Sequence, residues 1–335
     1  MTFTGKWIEG IGPESSISEA ARISLEARLD AVIHWLPPAA YCPEQDVEHV
    51  HRLRVSTRRA VAALRLYRRW LPRRSARWIL RQLKQIRRAA GDARDLDVLA
   101  DRLQRHVGDR LTADNAAPIE ALAEIAARRS AAQPAIVEVA DACRRKERFA
   151  RHVDRLLRRV KPRGGKHRRA TEDSFGVWAQ KRLTKAATSF FAAAPACGCD
   201  AEALHQFRIR AKSLRYSLEL LAPALGSELR EVHYPLVEEL QERLGRINDH
   251  AGGAERLRHW SAEQRDPSQP NAFEELARDE SERLAAELRE FFSWWTPERS
   301  DELRSGLLRE AEVAPVQPRP DCPPRESRSA EGSPG

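Results

Sequence analysis

One block of this chain is written twice, with no gap, at an offset of 154 residues. The copies run over 51–103 and 205–257. His51, Arg54 and Val55 map onto His205, Arg208 and Ile209; Arg58 maps onto Lys212, Gly91 onto Gly245, and Asp95 onto Asp249. The His-to-Asp interval is 44 residues in both copies. Any fold must therefore hold two equivalent pieces. A duplication kept for packing alone would match mainly at apolar positions. Here a histidine and a ladder of cations recur, which points to a doubled anion site.

The pieces read as helical. Ala, Leu, Arg and Glu dominate the 335 residues, with 16 Gly and 41% hydrophobic content. That is a globular, helix-favouring composition. Alternating patterns long enough for a strand are missing. Ser16-Ile-Ser-Glu19 fits a capping box, so a first helix is expected from about 17 to Leu36, where Pro37-Pro38 should end it. Further helices are expected over about 47–71, from the turn at Pro72 to about 107, and over 116–160 with a break or kink at Pro134. The second half repeats the plan over 173–193, 201–222, 227–261 and 271–312, with an interruption at Pro297. The expected divisions are an extension over 1–14, a helical body over 15–312, and a Pro-, Ser- and Gly-rich disordered tail over 313–335. Within the body, a first half (15–160) and a second half (173–312) are joined by a basic linker over 161–172.

Net charge is +9 and unevenly spread. From His51 to Ala90 there are fourteen Arg or Lys and no Asp or Glu, whereas 271–312 is net acidic. Such polarity implies an anionic partner without saying which one. The cysteines at 42, 143, 197, 199 and 322 form no disulfide framework, and Cys197-Gly-Cys199 is only a weak metal hint. The N-terminus lacks the apolar run of a signal peptide, and no stretch resembles a membrane span, so a cytoplasmic protein without membrane attachment is expected. Neither a metal nor a cofactor is expected.

In His51-Arg-Leu-Arg54-Val-Ser-Thr-Arg58, positions i, i+3 and i+7 share one helix face. His205, Arg208, Lys212 and Arg215 form the same stripe in the second copy. The heads stand roughly 5 Å and 10 Å apart along the axis, a pitch suited to regularly spaced phosphates. Arg65, Lys84, Arg87 and Arg88 are additional candidates for that face. His51 lies 21 residues before Pro72 and Asp95 lies 23 after it; His205 and Asp249 stand likewise about Gly226. In an antiparallel hairpin each Asp should sit beside its own His-Arg face, orienting His51 or Arg54, and His205 or Arg208. A carboxylate there would favour the charged imidazole. Gly91 and Gly245, expected mid-helix, suggest close approach of a neighbouring helix.

At these residues the chain resembles the CHAD family. The matching segments are His51-Arg-Leu-Arg-Val-Ser-Thr-Arg-Arg59, Gly91-Asp-Ala-Arg-Asp-Leu-Asp-Val98, His205-Gln-Phe-Arg-Ile-Arg-Ala-Lys-Ser-Leu-Arg-Tyr216 and Leu244-Gly-Arg-Ile-Asn-Asp249. The resemblance implies an all-α fold of two antiparallel four-helix bundles related by pseudo-twofold symmetry. It also implies binding of inorganic polyphosphate on a basic surface between the halves, by a protein associated with polyphosphate granules. Carried over, the phosphate contacts are His51, Arg54, Arg58 and Arg59, with His205, Arg208, Lys212 and Arg215. Val61 and Ser213 stand where the family often carries cations. The ExExK motif of the triphosphate-hydrolysing domain that often accompanies this fold does not occur, which implies a stand-alone, non-catalytic binding module. Two other readings stay open. Nucleic acid suits the charge, although aromatics are few at 6%. A metal-dependent phosphohydrolase would have to use the acid-rich patch Asp92, Asp95, Asp97 and Asp101.

Overall fold

The computed structural model describes residues 5–107, 117–160, 174–195, 201–263 and 272–312. The expected linker, the Cys-Gly-Cys segment and the expected tail lie outside the described residues. The first half comprises α1 (Ile17–Tyr41), α2 (Glu48–Leu66), α3 (Arg73–Val107), α4 (Ala117–Arg144) and α5 (Arg148–Leu157). The second half comprises α6 (Phe175–Phe191), α7 (Ala201–Leu221), α8 (Tyr234–Glu263), α9 (Ala272–Trp294) and α10 (Pro297–Glu312). Among the described residues the one β-type pairing is an isolated bridge between Ser16 and Ser174.

Both of those serines are N-caps. The Ser16 hydroxyl accepts the Glu19 N–H and the Ser174 hydroxyl accepts the Val177 N–H. The bridge therefore ties the start of α1 to the start of α6, and the Phe175 N–H donates to the Ser15 carbonyl at 2.9 Å. Residues before α1 also belong to the packed body: Ile8 is buried, and the Gly5 carbonyl accepts from Arg28.

Three prolines stay inside helices. Helix α1 runs through Pro37-Pro38 to Tyr41 instead of ending at Leu36. A helical proline costs about 3 kcal/mol, but here tertiary contacts offset it. Ala39 and Ala40 are buried, and their carbonyls accept from the Gln133 side chain at 2.9 and 2.8 Å. Pro134 is likewise carried inside α4. The break comes at Lys146 and Glu147, which both take φ 51°. Pro297 does mark a boundary, as the first residue of α10.

Helix contacts close each half on itself. Helix α1 packs on α2, α2 on α3, α3 on α4, and α4 back on α1. In the second half α6 packs on α7, α7 on α8, α8 on α9, and α10 on α6. One core lies inside each half. Leu25, Leu53, Ile79 and Leu83 belong to the first, and Phe190, Phe207, Tyr234 and Leu240 to the second. Full burial of one such side chain contributes about 1.5–3 kcal/mol. A third cluster joins the halves: Leu96, Leu99 and Leu103 of α3 meet Leu257 and Trp260 of α8 and Phe273 of α9. The acidic segment does two jobs. Helix α10 completes the second half, while α9 reaches α4 of the first.

Candidate functional site: a cationic cleft between the two repeats

Four helices, two from each repeat, line a cleft of about 420 Å³ between the halves. Helix α2 contributes His51, Arg54 and Arg58; α3 contributes Arg94, Asp95 and Arg102; α7 contributes Arg208 and Lys212; α8 contributes Asn248, Asp249 and Arg256. Seven Arg or Lys side chains and two aspartates line the cleft, and one of the seven, buried Arg102, is paired with Glu280 at 2.7 Å. Aromatic side chains are absent from this lining among the described residues.

The carboxylates serve arginines. Arg54 Nη2 lies 3.5 Å from Asp95 Oδ1, and its Nη1 donates to the Ala90 carbonyl at 3.0 Å. Arg256 approaches Asp95 at 3.8 Å. Asp249 raises the pKa of Arg208, against the larger effect of burial. The hairpin register therefore brings Asp95 to Arg54, as one of the two expected partners. The shift at His51 runs against the expected charged form: burial, then Arg94, lowers its pKa from the usual imidazole value, with Glu48 opposing. His205 is exposed on α7 and lies outside the cleft lining. Asn248 stands at the repeat position of Arg94.

Positive charge is poorly compensated here. Burial, then Arg58 and Arg208, pushes Lys212 down to about 7, although Asp249 opposes the shift. Arg208 Nε is buried with no hydrogen-bond partner. An unsatisfied buried donor costs about 1–3 kcal/mol, which an anionic ligand would recover.

Arg59 and Arg215 point elsewhere. Glu219 is 1% exposed and gathers cations from both halves. Arg59 donates to it at 2.7 and 3.1 Å, and the Tyr234 hydroxyl does so at 2.9 Å. Arg28 stands 3.5 Å away and Arg215 stands 3.8 Å away. Arg215 is also held by Glu238 at 2.7 Å. One step along a helix rotates a side chain by about 100°, which turns Arg59 from the Arg58 face into this internal network.

The additional candidates lie in a second concavity. Arg65, Lys84 and Arg87 line a groove of about 550 Å³ on α2 and α3, with Arg74, Arg77 and Arg81. Arg88 is exposed and lies outside both linings. Cleft and groove share a field: after burial, Arg58 in the cleft is the largest influence lowering Arg87 in the groove.

Sequence reasoning missed Arg94, Arg102 and Arg256. Arg102 and Arg256 are themselves 154 residues apart, so the repeat carried their signal. The glycines differ from expectation and from each other. A Cβ on Gly91 would stand 3.3 Å from the Arg54 guanidinium, whereas one on Gly245 would meet nothing within 4 Å. Gly91 makes room for a site arginine rather than a helix backbone, and Gly245 keeps part of the cleft wall open.

The family model described as the CHAD domain matches residues 24–257. The CHAD domain from the plant Ricinus communis, known from a crystal structure, is 22% identical with a TM-score of 0.60, over 90% of this chain and 95% of its own. PptA from Streptomyces chartreusis is 17% identical with a TM-score of 0.50, over 89% of this chain and 99% of its own. No curated protein matches the chain.

Proposed function

The chain belongs to the CHAD family, and we propose from that membership and the cleft's chemistry that it binds inorganic polyphosphate between its two repeats. The family is associated with polyphosphate binding. One observation carries the reading for this chain: helices from both copies crowd cations into one trough, leaving Arg208 Nε buried without a partner and Lys212 held down to about 7. Guanidinium groups hold phosphate oxygens by paired hydrogen bonds. Arg54, Arg58, Arg208 and Lys212 are the direct contacts, with His51, Arg94 and Arg256 on the walls. The groove of Arg65, Lys84 and Arg87 extends the track for a long chain. Arg59 and Arg215 support it by fixing the two halves through Glu219, and Asp95 and Asp249 orient Arg54 and Arg208.

Binding rather than catalysis is the reading because Asp95 lies beside Arg54 at 3.5 Å and Arg256 at 3.8 Å, placed to orient cations. Polyphosphate is preferred over nucleic acid because the described lining holds no Phe, Tyr or Trp ring as a stacking platform for bases. No described helix is long and apolar enough to cross a membrane. A cytoplasmic protein associated with polyphosphate granules is the corresponding setting.

The test is a salt-titrated binding assay against long-chain polyphosphate, a nucleoside triphosphate and duplex DNA. Polyphosphate should bind most tightly at every salt concentration, with affinity falling steeply as salt rises. Stronger binding of DNA at matched salt, or magnesium-dependent phosphate release sensitive to Asp95→Ala, would overturn the proposal.

A further inference from the structure

Away from the cleft, the turn between α7 and α8 collects a different chemistry. Glu228 and His233 flank a π-helical turn over Leu229–His233, and Glu310 reaches the same place from α10. One ligand atom from each of the three lies within 4.8 Å of the others. The π-turn makes this possible. Its wider spiral, closed by i→i+5 hydrogen bonds, brings residues five apart toward one face, where an ordinary α-turn would splay them. Such single π-turns are frequent at functional sites.

Each of the three groups has a reason to be there. His233 is 6% exposed, and its Nε2 is buried with no hydrogen-bond partner. An imidazole nitrogen is rarely left so without a partner to supply. Helix α10 makes room for the ring with Gly306, where any Cβ would overlap the imidazole. Glu310 is pre-oriented, because one of its oxygens accepts the Gly226 N–H at 3.0 Å. Support of this kind, given to a ligand by a neighbouring backbone group, aligns metal-binding carboxylates. Glu228 is exposed and opens the site to solvent.

We propose that Glu228, His233 and Glu310 bind a divalent transition-metal ion of the zinc type. One imidazole and two carboxylates make a borderline-to-hard donor set suited to zinc. Tetrahedral ligands at about 2.0–2.2 Å from zinc stand about 3.4 Å apart, so small side-chain movements from separations within 4.8 Å close the set. The ion clamps α10 onto the α7–α8 turn and so locks the last helix to the second half. The site is independent of the polyphosphate reading. The first repeat places Arg74 and Ile79 at the positions of Glu228 and His233, so the metal site belongs to one half alone.

The test uses the full chain after chelator treatment. Titration with Zn²⁺ should show one tight equivalent and raise the melting temperature. Glu228→Gln, on an exposed residue, should leave the fold intact and weaken Zn²⁺ binding at least tenfold, with polyphosphate affinity unchanged. His233→Gln should do the same. Bound Co²⁺ should show weak d–d absorption with no thiolate-to-metal charge transfer, which separates this site from Cys197 and Cys199. Wild-type Zn²⁺ affinity in Glu228→Gln would overturn the proposal, as would a thiolate band in the cobalt spectrum.

Discussion

The hairpin α2–α3 and the hairpin α7–α8 carry the same repeat but opposite charge around their turns. Groove cations Arg65, Arg74, Arg77 and Lys84 of the first correspond, at the 154-residue offset, to Glu219, Glu228, Glu231 and Glu238 of the second. At the other end of the same hairpins the charge is matched: Arg54, Arg58 and Arg102 correspond to Arg208, Lys212 and Arg256, and all six line the cleft. The repeat thus kept its sign in the cleft lining and reversed it around the turns, where Glu219 takes up Arg28 and Arg59 of the first half. In the second hairpin, carboxylates turn inward as structural partners. Glu219 collects Arg28, Arg59 and Arg215, and Glu238 holds Arg215 and Lys6. In the first hairpin the equivalent positions stay cationic on an open surface. A polyanion leaving the cleft therefore finds a basic path along α2–α3 and an acidic one along α7–α8.

The strongest way to break this contrast is at the buried carboxylate. Glu219→Gln leaves Arg28 and Arg59 without their buried counter-charge, while Arg215 keeps Glu238. Removing one partner of a buried ion network costs about 3–5 kcal/mol. The melting temperature and the denaturant midpoint should both fall. At the corresponding position of the first repeat, Arg65→Glu should change stability by less than about 0.5 kcal/mol, because that residue is exposed. Equal losses in the two variants would remove the distinction between a structural and an open hairpin.

The matched ends come next. Arg54→Glu combined with Arg208→Glu should weaken polyphosphate binding at least a hundredfold, about 2.8 kcal/mol, and flatten its salt dependence. Fluorescence anisotropy with labelled polyphosphate measures both. Undiminished affinity would exclude the cleft.

Binding should also respond to pH with a definite sign. Burial and neighbouring arginines hold Lys212 down to about 7 in the free protein. A bound polyanion favours the protonated lysine and raises its pKa. The affinity that Lys212 contributes is therefore complete below about 7 and declines as pH rises from there toward the pKa of the complex. Between pH 6 and 8.5 affinity should drop about tenfold, and Lys212→Met should flatten the profile.

Making the first hairpin resemble the second is a gentler change. Arg74→Glu with Lys84→Glu should weaken long-chain polyphosphate several-fold and leave tripolyphosphate unaffected, since a short ligand fits within the cleft. A calorimetric comparison of the two chain lengths reads the difference. The smallest effect is expected at the paired glycines. Gly245→Ala meets nothing within 4 Å and should stabilise its helix by about 0.5–1 kcal/mol. Gly91→Ala crowds Arg54 and should gain less stability while weakening polyphosphate binding slightly.

Much of this architecture was legible before any coordinates. The Ser16 cap, the helix hairpins and the cationic stripe at i, i+3 and i+7 follow from local sequence signals. Asp95 beside the His51–Arg54 face followed from counting arms of 21 and 23 residues about Pro72, with the choice between His51 and Arg54 left open. Other features were out of reach for physical reasons. Pro37-Pro38 stays helical with Gln133, far away in sequence, donating to the carbonyls of Ala39 and Ala40 in the last turn. Arg59 and Arg58 are adjacent and chemically identical in the sequence, yet one faces the cleft and the other Glu219. His51 and His205 share a register, but His51 lines the cleft while His205 is exposed outside its lining. Arg102 and Arg256 were in register too, though they join the site only because α3 and α8 converge there.

The sequence alone determined the helical class, the duplication and the sign of the repeated face, because helix periodicity and charge are properties of short stretches. Only tertiary structure decided which cations remain available to a ligand and which are neutralised internally. That choice rests on contacts such as Arg59–Glu219, between residues 160 positions apart, and the packing of whole helices decides whether such groups meet.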